Sequence, residues 1–226
     1  MLMTYQEINH RISQIHLRCC GGLHPTPTDG LADTVATIII VGSISNHPMP
    51  GFWSAFEDNK PPGKNPLESW TTEILSIIAQ DLNADTLFPF VGPPYIPILS
   101  WAQQAEPVHP SPFGVFIHPI YGLWHSYRGV LLFKEKIDLP NFEATTSPCE
   151  MCEEQPCTST CPVNAIENGH FDLKACIGFL ESHQGSTCLK GGCLARRACP
   201  IGQNHQYGPA QANFHLSAFL DTFRPK

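Results

Sequence analysis

The 226-residue sequence predicts a first domain of mixed helices and strands, about 140 residues long, followed by a cysteine-bound module of about sixty. Three features point there. Residues Thr34 to Val41 are β-branched almost throughout, which suits a strand buried on both faces. Asn65-Pro66 has the form of a helix start, with a capping residue, proline at the first helical position and Glu68 in the first turn. Eight of the ten cysteines fall between Cys149 and Cys199.

Along the chain, Ile8, Ile12, Ile15 and Leu17 recur at near-helical spacing and predict an amphipathic helix over Tyr5 to Leu17. The helix opened by Asn65 should bury a face formed by Leu67, Trp70, Ile74, Ile77, Ile78 and Leu82. Eight prolines between Pro89 and Pro119 predict extended loops rather than regular structure from Phe88 onward. Gly114 to His118 and Gly129 to Phe133 then read as two strands flanking a Tyr121-Gly122 turn, a hairpin-like unit. Lys134 to Pro148 is the expected linker, which divides the chain into domains 1–140 and 141–226.

Twenty acidic residues against thirteen basic give a net charge of −7, without the basic excess expected of a nucleic-acid binder. The longest apolar run, Ile38 to Val41, is far too short to span a bilayer. Met1 to His16 contains no basic region followed by an apolar core, so a soluble, cytoplasmic chain with no nucleic-acid or membrane partner is expected.

The cysteines carry the chemistry. Cys149, Cys152 and Cys157 are followed by Cys161-Pro162, the bacterial ferredoxin run with its middle gap widened from two residues to four. Cys176, Cys188 and Cys193 are followed by Cys199-Pro200. In two-cluster ferredoxins the cysteine before proline crosses to the other cluster. By that rule Cys149, Cys152, Cys157 and Cys199 hold one [4Fe-4S] cluster, and Cys161, Cys176, Cys188 and Cys193 hold a second. Zinc would favour paired cysteines on both sides, and only Cys149/Cys152 shows that at a spacing of two. Disulfides would need an oxidising compartment. The vicinal pair Cys19-Cys20 fits no cluster spacing and reads as ordinary buried thiols rather than a redox pair. His47 and His125 have no partner at metal-ligand spacing.

Two resemblances follow from these residues. The stretch Gly114-Val115-Phe116-Ile117-His118-Pro119-Ile120-Tyr121-Gly122-Leu123-Trp124-His125-Ser126-Tyr127-Arg128-Gly129-Val130-Leu131-Leu132 resembles the cobalamin-processing CblC family, with a weaker match back to Ile38 that includes Pro50 to Phe56. Cys161-Pro162-Val163-Asn164-Ala165-Ile166 and Leu173-Lys174-Ala175-Cys176-Ile177-Gly178-Phe179-Leu180 resemble the two-cluster segment of epoxyqueuosine reductases, whose domain order corrinoid reductive dehalogenases share. The resemblances imply an α+β fold: a nitroreductase-like cobalamin-binding domain followed by a bacterial ferredoxin-like domain with two [4Fe-4S] clusters. They imply that His118, Pro119, Tyr121, Gly122, Trp124 and Arg128 line the cobalamin pocket. Structural roles are the alternative at each: a hydrogen-bonded His118, core packing of Tyr121 and Trp124, a surface ion pair for Arg128.

The expected function is an iron-sulfur oxidoreductase that reduces cobalamin and removes its upper axial ligand, by decyanation or dealkylation, with electrons from the two clusters. The arginines that hold glutathione in CblC have no counterpart here, so the clusters would be the electron source. One alternative keeps cobalamin as a permanent cofactor that reduces a second organic substrate, as in epoxyqueuosine reductases and dehalogenases. Another is a plain ferredoxin-type electron carrier. A flavoprotein or ferredoxin reductase would feed the clusters, and a homodimer is compatible with a nitroreductase-like domain. The gap of four residues between Cys152 and Cys157, and of five between Cys193 and Cys199, departs from the reductase pattern, though longer loops are tolerated. The chain is also shorter than those reductases and has no counterpart of their C-terminal extension associated with tRNA, which makes tRNA a less expected substrate.

Overall fold

The computed structural model describes residues 3–44, 51–167 and 169–224; His47 and Pro50 lie outside them. In chain order the elements are α1 (Tyr5–Gln14), β1 (Arg18–Leu23), β2 (Thr37–Ile44), α2 (Phe52–Asp58), α3 (Pro66–Asp81), β3 (Asp85–Leu87), α4 (Ile98–Ala105), β4 (His109–Pro110), β5 (Phe116–Ile117) and β6 (His125–Phe133). They continue with α5 (Pro156–Ser159), β7 (Ile166–Glu167), β8 (His170–Phe171), α6 (Leu173–Glu181), α7 (Ser186–Gly191), α8 (Leu194–Ala198) and α9 (Pro209–Phe223). No helix among the described residues is long and apolar enough to cross a membrane.

These elements form two compact units that interleave in sequence, where a single cut at 140 was expected. One comprises residues 1–107 and 125–144, the other 108–124 and 145–226. The first is built on an antiparallel sheet in the order β1-β2-β6-β3. β2 is central and buried along its whole length, as its β-branched run predicts, but begins at Thr37 rather than Thr34. α1 starts with a capping box in which Thr4 and Glu7 satisfy each other's backbone groups. It ends before the expected Leu17 because His16 takes a left-handed conformation.

The buried face of α3 is rotated from the expected one. Leu67, Thr71, Leu75, Ile78 and Leu82 follow the 3.6-residue period into the core with Trp70, while Ile77 is left 57% exposed. α4 interrupts the proline-rich stretch expected to be loop. Its Ile98, Trp101, Ala102 and Ala105 are buried at i, i+3, i+4 and i+7, a period legible in the sequence but obscured by the flanking prolines. The expected hairpin does not form: β5 pairs with β4, whereas β6 pairs with β2 and β3. The Tyr121-Gly122 turn closes on His118 alone, through paired backbone hydrogen bonds between His118 and Gly122.

A bulge in β1 at Gly21, whose φ is +81°, lets the end of α4 approach so closely that a Cβ at Gly21 would overlap the Ala105 carbonyl. There Glu106 is buried; it pairs with Arg18 and accepts a 2.9 Å hydrogen bond from the Tyr127 hydroxyl. Burial pushes the Glu106 carboxyl above its usual range, with the Arg18 guanidinium opposing. Cys19 and Cys20 are buried beside it, and burial raises the Cys19 thiol to about 12. A raised folded value favours the protonated form, so the contribution of Cys19 to stability is complete below about 9 and is lost as pH rises through about 12. Iodoacetamide at neutral pH is therefore expected to leave both thiols unlabelled until denaturant is added, as read by peptide mass spectrometry. Labelling of Cys19 in the native protein would contradict the burial.

Candidate cluster site

The second unit holds all eight predicted cysteines, in turns and on short helices or their caps. Cys149 and Cys152 lie in a turn closed by hydrogen bonds from the Glu150 amide to Ser147 and the Cys152 amide to Cys149. Cys157 is inside α5, and Cys161 accepts a 3.3 Å hydrogen bond from the Ala165 amide. Asp172 caps α6, accepting from the Ala175 amide at 2.9 Å, and so fixes the turn that presents Cys176. Cys188 lies in α7, while Cys193 and Cys199 are the two caps of α8.

Two apolar clusters set the distances among these elements. Ile177, Leu180, Cys188 and Leu220 bind α6, α7 and α9 together, with Phe179, Leu216 and Phe219 around them. Ile117, Leu123 and Cys199 form the other, with Cys149 and Ile201 packed against it.

The thiols fall into two groups. Burial is the main cause that pushes the Cys149 thiol up to about 11, and the neighbouring Cys199, Cys157 and Cys152 add to it. Cys199 and Cys157 are likewise raised, first by burial and then by members of the same four. Burial raises Cys176 to about 12, with Cys193, Cys161 and Cys188 contributing, and Cys193 is raised by burial, Cys188 and Cys161. None of these shifts draws on a cysteine of the other group. Cys149, Cys152, Cys157 and Cys199 together line a mostly apolar recess with Pro112, Ile117, Pro148 and Ile201.

Thiolates gathered this closely need cations to ionise together, and backbone amides are aimed at three of them. Cys193 receives the amides of Arg196 and Ala195, Cys199 that of Ile201, and Cys157 that of Thr158. Among the described residues no three His, Cys, Asp or Glu side chains come close enough to share one metal ion. A cubane, which takes one thiolate per iron, sets its sulfurs farther apart than a single ion does. The donor set, the grouping and the amides suit [4Fe-4S] clusters held by thiolates, which would supply one-electron transfer.

The residues expected to line a cobalamin pocket are placed differently. His118 is 5% exposed, and its Nδ1 accepts the amides of Ile120 and Tyr121, at 3.0 and 3.3 Å. Its ring stacks on Tyr121 at 4.4 Å, and Tyr121 meets His205 edge-on at 5.2 Å. Trp124 is 2% exposed, covered by Arg196 on its face and Tyr207 at its edge. Gly122, at φ +58°, lies against Ile201 and the left-handed Gly202, a contact that only residues without Cβ permit. Pro119 lies within this turn. Arg128 belongs to the other unit, where it sits over Phe52 at 5.1 Å and donates to Ser43 at 3.3 Å. The packing alternative therefore describes Trp124, and a backbone-capping role describes His118. His118 and Trp124 are buried by these contacts, whereas Pro119 and Tyr121 are partly exposed.

Solved structures give the comparison. An epoxyqueuosine reductase from Streptococcus thermophilus superposes with a TM-score of 0.52 at 13% identity, over 89% of this chain and 67% of that one. The chain resembles the epoxyqueuosine reductases in fold. A Bacillus subtilis reductase, with its catalytic loop swung out of the active site, gives 0.51 at 12% identity over 92% of this chain and 68% of that chain. A reductase bound to an epoxyqueuosine-modified tRNA-Tyr stem loop gives 0.50 at 12% over 89% of this chain and 66% of that chain. The chain spans about two thirds of the length of these epoxyqueuosine reductases. No family model matches the chain, and no curated protein does. These likenesses support the reductase-like part of the expectation and do not show the CblC-like part. With a tRNA stem loop in one neighbour, the exclusion of nucleic acid drawn from net charge is not carried further.

Proposed function

We propose that the chain is an oxidoreductase with two [4Fe-4S] clusters, held by Cys149, Cys152, Cys157 and Cys199 and by Cys161, Cys176, Cys188 and Cys193. In this reading the clusters pass single electrons toward the corrinoid-dependent reduction of a second organic substrate, the reaction class of the epoxyqueuosine reductases. The observation that carries it is the separation of the eight thiols into two groups of four, joined by the five residues of α8. Reduction of an organic substrate is preferred over removal of an upper ligand from cobalamin because the likeness in fold runs to the epoxyqueuosine reductases through both units.

The corrinoid part rests on that likeness and on the sequence resemblances. The side chains of His118, Tyr121 and Trp124 are engaged with protein, so no step is assigned to them. What the second unit offers to the reaction is charge and geometry: apolar packing that keeps water from the thiolates, and amides that favour the reduced state.

The test is an anaerobic visible-absorption titration of the cluster-loaded protein, reduced and mixed with cyanocobalamin. Tight binding that survives gel filtration, without consumption of cobalamin beyond one equivalent, is the expected result. Catalytic loss of cyanide would make cobalamin the substrate instead, and no binding would leave an electron carrier. Either outcome overturns the proposed reaction class.

A further inference from the structure

The C-terminal end of α8 lacks the backbone closure that helices ordinarily use. In that closure the first amide beyond the cap bonds to the carbonyl of the second-last helical residue, and the next amide bonds one residue further back. With Cys199 as the cap, the first residue beyond it is Pro200, which has no amide, and the Arg197 carbonyl is left without its usual donor. The following amide, that of Ile201, is given to the Cys199 sulfur instead. Side chains take over. Gln203 Nε2 donates to the Arg197 carbonyl at 3.1 Å and to the carbonyl of Cys199. Gln206 Nε2 donates to the same Arg197 carbonyl at 3.1 Å and to Gln203 Oε1 at 2.6 Å, which orients the first amide. Gly202, left-handed at φ +73°, turns the chain back into the short 3-10 turn Gln203–His205 and so makes this return possible.

Resting on the two-cluster reading above, we infer that Gln203 is the positioning residue of the crossing ligand: its amide replaces the missing backbone cap and holds Cys199 in place for the Cys149 group. Cys199 is then fixed from both sides, its sulfur by the Ile201 amide and its carbonyl by Gln203. Cys199 is buried, whereas Gln203 is exposed and belongs to neither apolar cluster, so its replacement removes hydrogen bonds without emptying the core. A cap that merely stabilised α8 would serve Cys193, at the other end of the same helix, as much as Cys199. Gln203 acts through Cys199 and touches no substrate.

The experiment follows iron release to a ferrous chelator from the anaerobically loaded full chain, in two backgrounds. Cys161→Ser keeps the Cys199 group whole, and Cys199→Ser keeps the other. In the first, Gln203→Glu, which exchanges the donors for acceptors, is expected to speed release about tenfold, the scale of one or two hydrogen bonds. In the second it is expected to leave the rate unchanged. Gln203→Lys, whose ammonium supplies donors for both carbonyls, is expected to restore the slow rate. An unchanged rate in the Cys161→Ser background overturns the inference, as does a Lys variant that releases iron as fast as the Glu variant. Equal acceleration in both backgrounds also overturns it, because Gln203 would then be a general cap of α8. If Gln203→Glu fails to load iron or to fold, Gln206→Leu, which leaves Gln203 but removes its brace, must speed release in the Cys161→Ser background alone; release at the parent rate overturns the inference. An unaltered chain that binds no iron would overturn the two-cluster reading itself, whereas loaded clusters indifferent to Gln203 overturn only its role.

Discussion

Replacing Cys199 with serine is expected to halve the iron of the anaerobically loaded protein, from about eight atoms per chain to about four. The reason is the crossing of the chain. Cys199 sits twenty-three residues or more beyond Cys161 and Cys176 in sequence, yet its neighbours are Cys149, Cys152 and Cys157, with which it lines one recess. Cys161→Ser is expected to give the same loss of iron from the other group. Because α8 ties Cys199 to Cys193, disturbance of the surviving cluster should show as altered linewidth rather than as further loss. Iron analysis with electron paramagnetic resonance of the two variants reads both effects. Full iron in either variant would break the grouping.

Gly122→Ala carries the second large effect, although the residue is not a ligand. At φ +58° an alanine pays about 1–2 kcal/mol for the left-handed backbone. Its Cβ would also overlap the Ile201 carbonyl, and overpacking costs about 1–3 kcal/mol more. Ile201 follows Cys199-Pro200, so relief of the clash moves the loop that carries Cys199. The thermal midpoint should fall by roughly 5–15 °C for a chain of this size. Iron held by the Cys149 group should be lost before that of the Cys176 group. A variant with wild-type midpoint and iron would show that the 118–124 turn does not brace the cysteine loop.

The parts of this protein that were legible in its sequence are those governed by local chemistry. The β-branched run of β2, the proline-started α3 and the eight cysteines each announce themselves through residue type and spacing. α4 was hidden because proline density outweighed a sound i, i+3, i+4, i+7 pattern in Ile98 to Ala105. The hairpin expected across Tyr121-Gly122 failed for a different reason: strand pairing is a tertiary choice, and β6 finds its partners in β2 and β3. No local signal assigns residues 108–124 to the cysteine unit; the close approach of Gly122 to Ile201 and Gly202 is visible only in the structure. Residue type alone likewise does not show that His118 accepts the Ile120 amide or that Trp124 is buried.

The central claim is that eight cysteines hold two [4Fe-4S] clusters in crossed sets. The most direct measurement is Mössbauer spectroscopy, with iron and acid-labile sulfide analysis, on full-length protein prepared under strict anaerobiosis. The account predicts about eight iron and eight sulfide per chain, with all iron in the quadrupole signature of four-iron clusters. Zinc or two-iron clusters in place of that signature, or iron at half the predicted amount in the unaltered chain, would contradict it.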